Sequence, residues 1–222
     1  MRELIRDYVR TCTEVLPTPE PVYEFGSLQV PGQEGFADLR PFFPGKCYVG
    51  ADFREGPGVD LVLDLHELRL PAESVGTALI LDTLEHVEEP RKAVLEAHRI
   101  LRPGGVLLIG SVMNFKIHAY PHDYWRFTPE AFRSLLKPFP TRVVEFAGEP
   151  RFPHTVVGVA VKGALPASEL DALHQRLGAW RAHWSRPGRP GRWQHVAKLF
   201  LPPILVAAYR RLIGGRRDSA AP

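Results

Sequence analysis

Two stretches decide the fold: Thr77-Ala78-Leu79-Ile80-Leu81-Asp82-Thr83-Leu84-Glu85-His86-Val87, and Arg99-Ile100-Leu101-Arg102-Pro103-Gly104-Gly105-Val106-Leu107-Leu108-Ile109-Gly110-Ser111. Each holds an unbroken apolar run, as expected of a strand buried on both faces, where no alternation with polar residues is needed. Residues 89–101 between them read as a helix. Pro90 suits its first turn and Gly104 a stop beyond its end. Glu88 and Glu89 at its start and Arg99 and Arg102 at its end complement the helix dipole. Val94, Leu95, Ala97 and Leu101 supply the expected apolar face. Strand, helix and strand in this order make a βαβ unit, hence a parallel pair.

The pattern extends in both directions. Residues 22–25, 47–52 and 59–64 read as earlier strands, 142–147 and 155–162 as later ones. Thr128 and Pro129 read as the N-cap and first position of a helix that faces Phe132, Leu135 and Leu136 inward. Leu4, Ile5, Tyr8, Val9 and Cys12 recur at helical spacing near the N-terminus, and Leu170, Leu173, Leu177, Trp180 and Trp184 do so over 168–184. The expected architecture is α/β, a Rossmann-like, doubly wound, seven-stranded and mostly parallel sheet with a C-terminal helical appendage. Its parts are an N-terminal helix over 1–20, a core domain over 21–162 and a basic amphipathic tail over 163–222.

With 222 residues, 45% hydrophobic and 24% charged, the chain has the composition of a globular protein. Two cysteines, Cys12 and Cys47, exclude a disulfide scaffold and a multi-cysteine zinc site. Cys47, in an apolar run, is expected to be buried and inert. The net charge of +3 is unevenly placed: residues 1–162 carry 18 Lys and Arg against 22 Asp and Glu, and residues 163–222 carry 10 against 3. The N-terminus has charges in place of a secretory apolar segment, and no run is long enough to span a membrane, so a cytoplasmic protein is expected. The tail holds a basic, breaker-rich linker over 186–192 and an apolar run over 199–209 with arginines behind it. It reads as a helix packed on the body or at a homodimer seam, or as a surface for peripheral membrane contact.

Ligands of open parallel sheets bind beyond the carboxyl ends of the strands. Three successive strands end there in Asp52, Asp64 and Asp82. Acids at that edge repel phosphate and favour hydroxyls, amines and cations. The chain has no G-x-x-x-x-G-K-[ST] phosphate loop, no G-x-G-x-x-G after the first strand and no Tyr-x-x-x-Lys pair. Hydride transfer from a dinucleotide therefore fits poorly.

These residues resemble the class I S-adenosylmethionine-dependent methyltransferases of the broad type 11 group. Val22-Tyr23-Glu24-Phe25-Gly26-Ser27 is similar to the first-strand acidic-x-Gly signature, and Tyr48-Val49-Gly50-Ala51-Asp52 to the second strand with its ribose-binding acid. The stretch from Asp64 to Leu70-Pro71 is similar to the segment over the adenine. Leu81-Asp82-Thr83-Leu84-Glu85-His86-Val87 matches the fourth-strand end, and Arg99-Ile100-Leu101-Arg102-Pro103-Gly104-Gly105 the turn before the fifth strand. The resemblance covers about residues 22–162. It implies S-adenosyl-L-methionine as cofactor, with Asp52 and Phe53 at the ribose and adenine, Asp64 and Leu65 at the adenine amino edge, and Gly26 and Ser27 close to the methionine moiety. Glu24 would sit near its amino end or orient the loop, and Asp82, Thr83 and Leu84 would line the sulfonium side. The sequence departs from the group's G-x-G-x-G loop, keeping only Gly26. The chain is expected to pass through Gly35 into a helix containing Phe36 and Leu39.

The resemblance implies methyl transfer to an oxygen or nitrogen, with a small molecule, sugar or lipid-linked molecule as acceptor. A non-catalytic cofactor-binding or scaffold domain of the same fold is the alternative, and a nucleotide-sugar or dinucleotide enzyme a weaker one. His86, His122 and Asp123 are the candidate proton acceptors, inside or near the aromatic and ionisable string 120–129. His118 adds a third imidazole, but His118 and His122 lack a clear third ligand, so no metal site is expected. No specific nucleic acid is expected, because the body is acidic and lacks [DN]-P-P-[YFW] after the fourth strand.

Overall fold

The chain runs through α1 (Glu3–Thr13), β1 (Val22–Phe25), β2 (Tyr48–Asp52), β3 (Leu61–Val62), β4 (Val75–Leu81), α2 (Pro90–Ile100), β5 (Leu101–Val112), α3 (Pro129–Leu135), β6 (Thr141–Glu149), β7 (Phe152–Val161) and α4 (Ala167–Trp184). The structure is a computed structural model and describes residues 2–30, 32, 35–118 and 121–185. The linker 186–192, the apolar run 199–209 and Tyr120 lie outside the described residues. The seven strands form one sheet in the order β3-β2-β1-β4-β5-β7-β6. Strands β1 to β5 pair in parallel. Strand β7 runs antiparallel to both β5 and β6. The doubly wound, mostly parallel sheet read from the sequence is therefore the one observed.

Side chains alternate across the central strands, as a two-residue period requires. Ala78 and Ile80 of β4 and Leu107 and Ile109 of β5 enter the core under α2 and α3. Leu79 and Leu81, with Val106 and Leu108, enter the opposite core with α1 and α4. Both layers are apolar, which explains why these strands read as unbroken apolar runs. The Thr128 hydroxyl accepts the Ala131 N–H at 3.1 Å and starts α3 where the sequence places it. Helix α4 docks on α1: Leu173, Leu177 and Trp180 are buried, the Trp180 indole donates to the Leu4 carbonyl at 3.0 Å, and the Trp184 indole donates to Asp7 at 2.8 Å.

Four local expectations are corrected. Strand β3 is two exposed residues instead of a run over 59–64, because it is an edge strand paired only to β2 and Asp60 is drawn away to accept the Gly50 N–H at 2.7 Å. Leu95 is exposed and Leu101 opens β5; Ala93, Val94, Ala97 and Ile100 form the buried face of α2. Cys47 is exposed, one residue before β2 begins. The expected helix around Phe36 and Leu39 is a single 3-10 turn, Arg40–Phe42, in which Pro41 removes a donor; Leu39 is buried and Phe36 exposed beneath the Arg6 guanidinium.

No helix among the described residues is long and apolar enough to cross a membrane. The docking of α4 is testable by urea denaturation. Trp180→Ala removes a large aromatic buried against Tyr8 and is expected to cost about 3–5 kcal/mol. An unchanged midpoint would show that α4 does not share this core.

Candidate functional site

Parallel pairing brings the ends of β1, β2, β4 and β5 to one edge of the sheet, with β1 and β4 adjacent where the winding reverses. A cavity of about 470 Å³ opens there, within the range usual for small-ligand sites. Its walls include Glu24 within β1 and Gly26 and Ser27 after it, Asp52 closing β2 and Phe53 after it, and Asp64, Leu65 and His66 beyond β3. Asp82, Thr83, Glu85 and His86 follow β4, and Phe115, His118, His122 and Tyr124 follow β5. Arg2, just before α1, also reaches the wall.

Local chemistry fixes each strand end. Gly26 has φ +85, and a Cβ there would lie 2.1 Å from the Thr83 hydroxyl oxygen. Only glycine suits that backbone and that neighbour. The close approach at Gly26 is thus made by Thr83, whose hydroxyl donates to the Leu81 carbonyl at 2.9 Å. Asp52 folds its own loop by accepting the Arg54 N–H at 3.1 Å. Asp64 accepts the His66 N–H at 2.8 Å and lies 2.7 Å from the His66 ring. Asp82 is a non-glycine residue at φ 49, and its carboxylate is gripped by the Arg2 guanidinium through two bonds of 2.5 and 3.1 Å.

Two glutamates are sunk among apolar residues. Glu24 is 4% exposed, and burial pushes its carboxyl up to about 7 against the hydroxyl bond of 2.6 Å that Tyr48 donates to it. Burial, with Asp82 nearby, likewise raises Glu85 to about 7, against the Ser111 hydroxyl that donates to it at 2.6 Å. The Ser27 hydroxyl and one oxygen of Glu85 are buried without a hydrogen-bond partner among the described residues.

Loop and turn are stitched together at the β5 end. The Tyr124 and Trp125 N–H groups both donate to the Glu85 carbonyl, at 2.8 and 3.2 Å, and the Trp125 indole donates to the Glu88 carbonyl at 3.2 Å. This carries His118 and His122 to His86, whose Nδ1 lies 2.5 Å from the His122 carbonyl. Glu85, His86 and His118 present ligating atoms within 4.8 Å of one another.

Of the residues singled out from the sequence, Glu24, Gly26, Ser27, Asp52, Phe53, Asp64, Leu65, Asp82, Thr83, His86 and His122 meet at this cavity. Two do not. Leu84 points into the apolar core and is fully buried. Asp123 is locked beneath the loop: Arg126 holds it by bonds of 2.5 and 2.7 Å, and the His118 N–H donates to it at 2.7 Å. The Arg126 bonds hold its carboxyl well below the usual range, which removes it as a proton acceptor. The sequence reading assigned no site role to Arg2, Tyr48, Arg54, His66 or Glu85, although Tyr48, His66 and Glu85 lie in the stretches around the strand ends. Arg2 carries no local signal, since its partner lies 80 positions away. Glu85 was legible inside Leu84-Glu85-His86 as an acid beside an imidazole.

Residues 50–109 match a family model described as a methyltransferase domain. A 37.1 kDa protein described as uncharacterized, from a transposon of Streptomyces fradiae, is 44% identical over 55 residues, which are 24% of this chain and 16% of that protein. Among solved structures, a SAM-dependent methyltransferase from Archaeoglobus fulgidus has a TM-score of 0.57 at 16% identity, over 73% of this chain and 95% of that one. The 1,6-didemethyltoxoflavin-N1-methyltransferase of Burkholderia thailandensis, bound to 1,6-didemethyltoxoflavin and S-adenosylhomocysteine, has a TM-score of 0.53 at 19% identity, over 72% of this chain and 77% of that one. The fold is therefore the one these methyltransferase structures share.

The titration of Glu24 has a testable sign. Its folded value of about 7 exceeds its ordinary 4.5, so the stability of the ligand-free chain falls as pH rises through that window, by up to about 3 kcal/mol from this group. Glu24→Gln keeps an acceptor for Tyr48. Urea melts are expected to show it about 1–3 kcal/mol more stable than the parent at pH 8 and equal at pH 4.

Proposed function

We propose that this chain is an S-adenosylmethionine-dependent methyltransferase acting on an oxygen or nitrogen of a small-molecule or glycan-type acceptor. The observation that carries this reading is the row of carboxylates along one sheet edge, Glu24, Asp52, Asp64 and Asp82, on a cavity of a chain whose sequence has no phosphate-loop motif. Such an edge suits a ligand made of a diol, an amine and a cation. The match of residues 50–109 to a methyltransferase domain supports it, as does a like-folded protein that holds the demethylated cofactor.

The side chains fit the group. Asp52 keeps lone pairs beyond those given to backbone N–H groups, as two ribose hydroxyls require. Phe53, half exposed, and Leu28 give an apolar wall for a flat base. The unpartnered Ser27 hydroxyl and the buried Glu24 suit the polar amino-acid end. Bound S-adenosylmethionine supplies an electrophilic methyl group on a sulfonium. The chain supplies alignment, worth up to about 7–11 kcal/mol in favourable cases. His86 and His122 line the same cavity and would take an acceptor proton, with Phe115 and Tyr124 beside them as apolar walls for the acceptor. The acidic edge disfavours a phosphate-rich acceptor.

A second reading, cofactor binding without turnover, is favoured by one observation. Among the described residues, the connection from β1 to β2 has the 3-10 turn Arg40–Phe42 as its only helical element. Transfer of a tritiated methyl group to a panel of hydroxyl and amine acceptors separates the two readings.

Calorimetric titration with S-adenosylhomocysteine tests the cofactor assignment. Asp52→Ala removes two bonds to a charged group and is expected to weaken binding by about 3 kcal/mol, on the order of 150-fold. Equal affinity in the variant would contradict the assignment. A cationic amino end favours ionised Glu24, so affinity should rise with pH up to about 7 and level off above it, with a proton released on binding below that pH. Glu24→Gln should flatten this profile.

A further inference from the structure

We propose that Glu85, His86 and His118 form a binding site for a first-row divalent cation of the zinc type at the acceptor end of the cavity. One ligating atom from each lies within 4.8 Å of the other two, and this is the only such group among the described residues. All three line the cavity, so a cation held there would keep coordination positions open toward an incoming ligand. Donors around a tetrahedral zinc lie roughly 3.3 Å apart, so the three need to close by about 1.5 Å.

The proton positions suit this role. The Nδ1 of His86 lies 2.5 Å from the His122 carbonyl oxygen, which can only accept, so Nδ1 is the donor there and Nε2 the nitrogen a cation would take. The Nδ1 of His118 lies 3.2 Å from the Lys116 carbonyl and 3.3 Å from Asp123, with the same consequence. Imidazoles that ligate metals are usually oriented through their other nitrogen in this way. The carboxylate of Glu85 is divided: Oε2 accepts the Ser111 hydroxyl at 2.6 Å, and Oε1 is buried with no partner among the described residues. A fully buried carboxylate oxygen without a partner is costly, and a cation removes that cost. Asp123, unavailable as a base, gains a purpose: gripped by Arg126, it accepts the His118 backbone N–H at 2.7 Å and lies 3.3 Å from the ring Nδ1.

Two imidazoles and one carboxylate suit zinc and its neighbours better than magnesium or calcium, which prefer oxygen. With His86 then a ligand and no longer a proton acceptor, a cation here would lower the pKa of an acceptor hydroxyl; its proton passes to His122 or water, and its oxygen takes the methyl group as the methyl–sulfur bond of the sulfonium breaks and the thioether product leaves. That use rests on the methyl-transfer reading; the site itself does not.

The test uses the untagged full-length chain, stripped with chelator and titrated with Co²⁺ alone, then with Zn²⁺ in competition. One Co²⁺ per chain is expected, with visible absorption typical of nitrogen and oxygen ligands and displacement by Zn²⁺. Glu85→Gln and His118→Ala should each weaken binding by about 100-fold or more, Asp123→Asn by about 10-fold, and the exposed His174→Ala not at all. Circular dichroism establishes that each variant is folded; Glu85→Gln keeps the Ser111 bond if His118→Ala perturbs the loop. Absence of Co²⁺ and Zn²⁺ binding up to millimolar concentration, or binding that both ligand variants leave unchanged, overturns the site. A separate titration with S-adenosylhomocysteine keeps the readings apart. Its binding without metal binding overturns this inference alone, and metal binding without it supports the site and contradicts the cofactor.

Discussion

Parallel pairing of β1 with both β2 and β4 governs the molecule. A parallel neighbour can be reached only by a crossover, so every strand of the β1–β5 set must finish at the same edge. Side chains from distant parts of the chain thereby converge without any local motif. Glu24, Asp52, Asp82 and the loop after Val112 become neighbours because their strands run together. The adjacency of β1 and β4 also forces Gly26 against Thr83, which is why glycine stands there.

That edge concentrates negative charge in a partly desolvated space, and the fold answers it in three ways. Arg2 neutralises Asp82 from the start of α1. Arg126 does the same for Asp123. Glu24 and Glu85 instead receive a neutral hydroxyl each and are pushed toward the protonated form. Groups raised in this manner are poised to respond to a positive ligand, since a nearby cation recovers the energy that burial removed. Helix α1 therefore has two tasks, covering one face of the sheet with Tyr8 and Val9 and carrying Arg2 to the cavity.

The architecture was legible because both-face burial writes itself into unbroken apolar runs such as Val106 to Ile109, and because Pro90, Gly104, Thr128 and Pro129 mark helix ends. The strand-end acids were legible through their position after those runs. What escaped depends on long-range geometry. Nothing near Arg2 announces Asp82, and nothing in the hydropathy of Leu84 separates a core residue from a cavity wall. Asp123 reads as a free carboxylate until Arg126 is seen to hold it. The edge strand β3 and the turn at Arg40–Phe42 escaped because pairing on one side and proline placement override local propensity.

The account stands on one claim, that the acidic edge selects a cationic, phosphate-free cofactor. Calorimetric titration of the full-length chain with S-adenosylmethionine, beside an identical titration with NAD, addresses it directly. The account predicts micromolar binding of S-adenosylmethionine at one site per chain and no heat from NAD. Binding of NAD, or no binding of S-adenosylmethionine up to millimolar concentration, would contradict it.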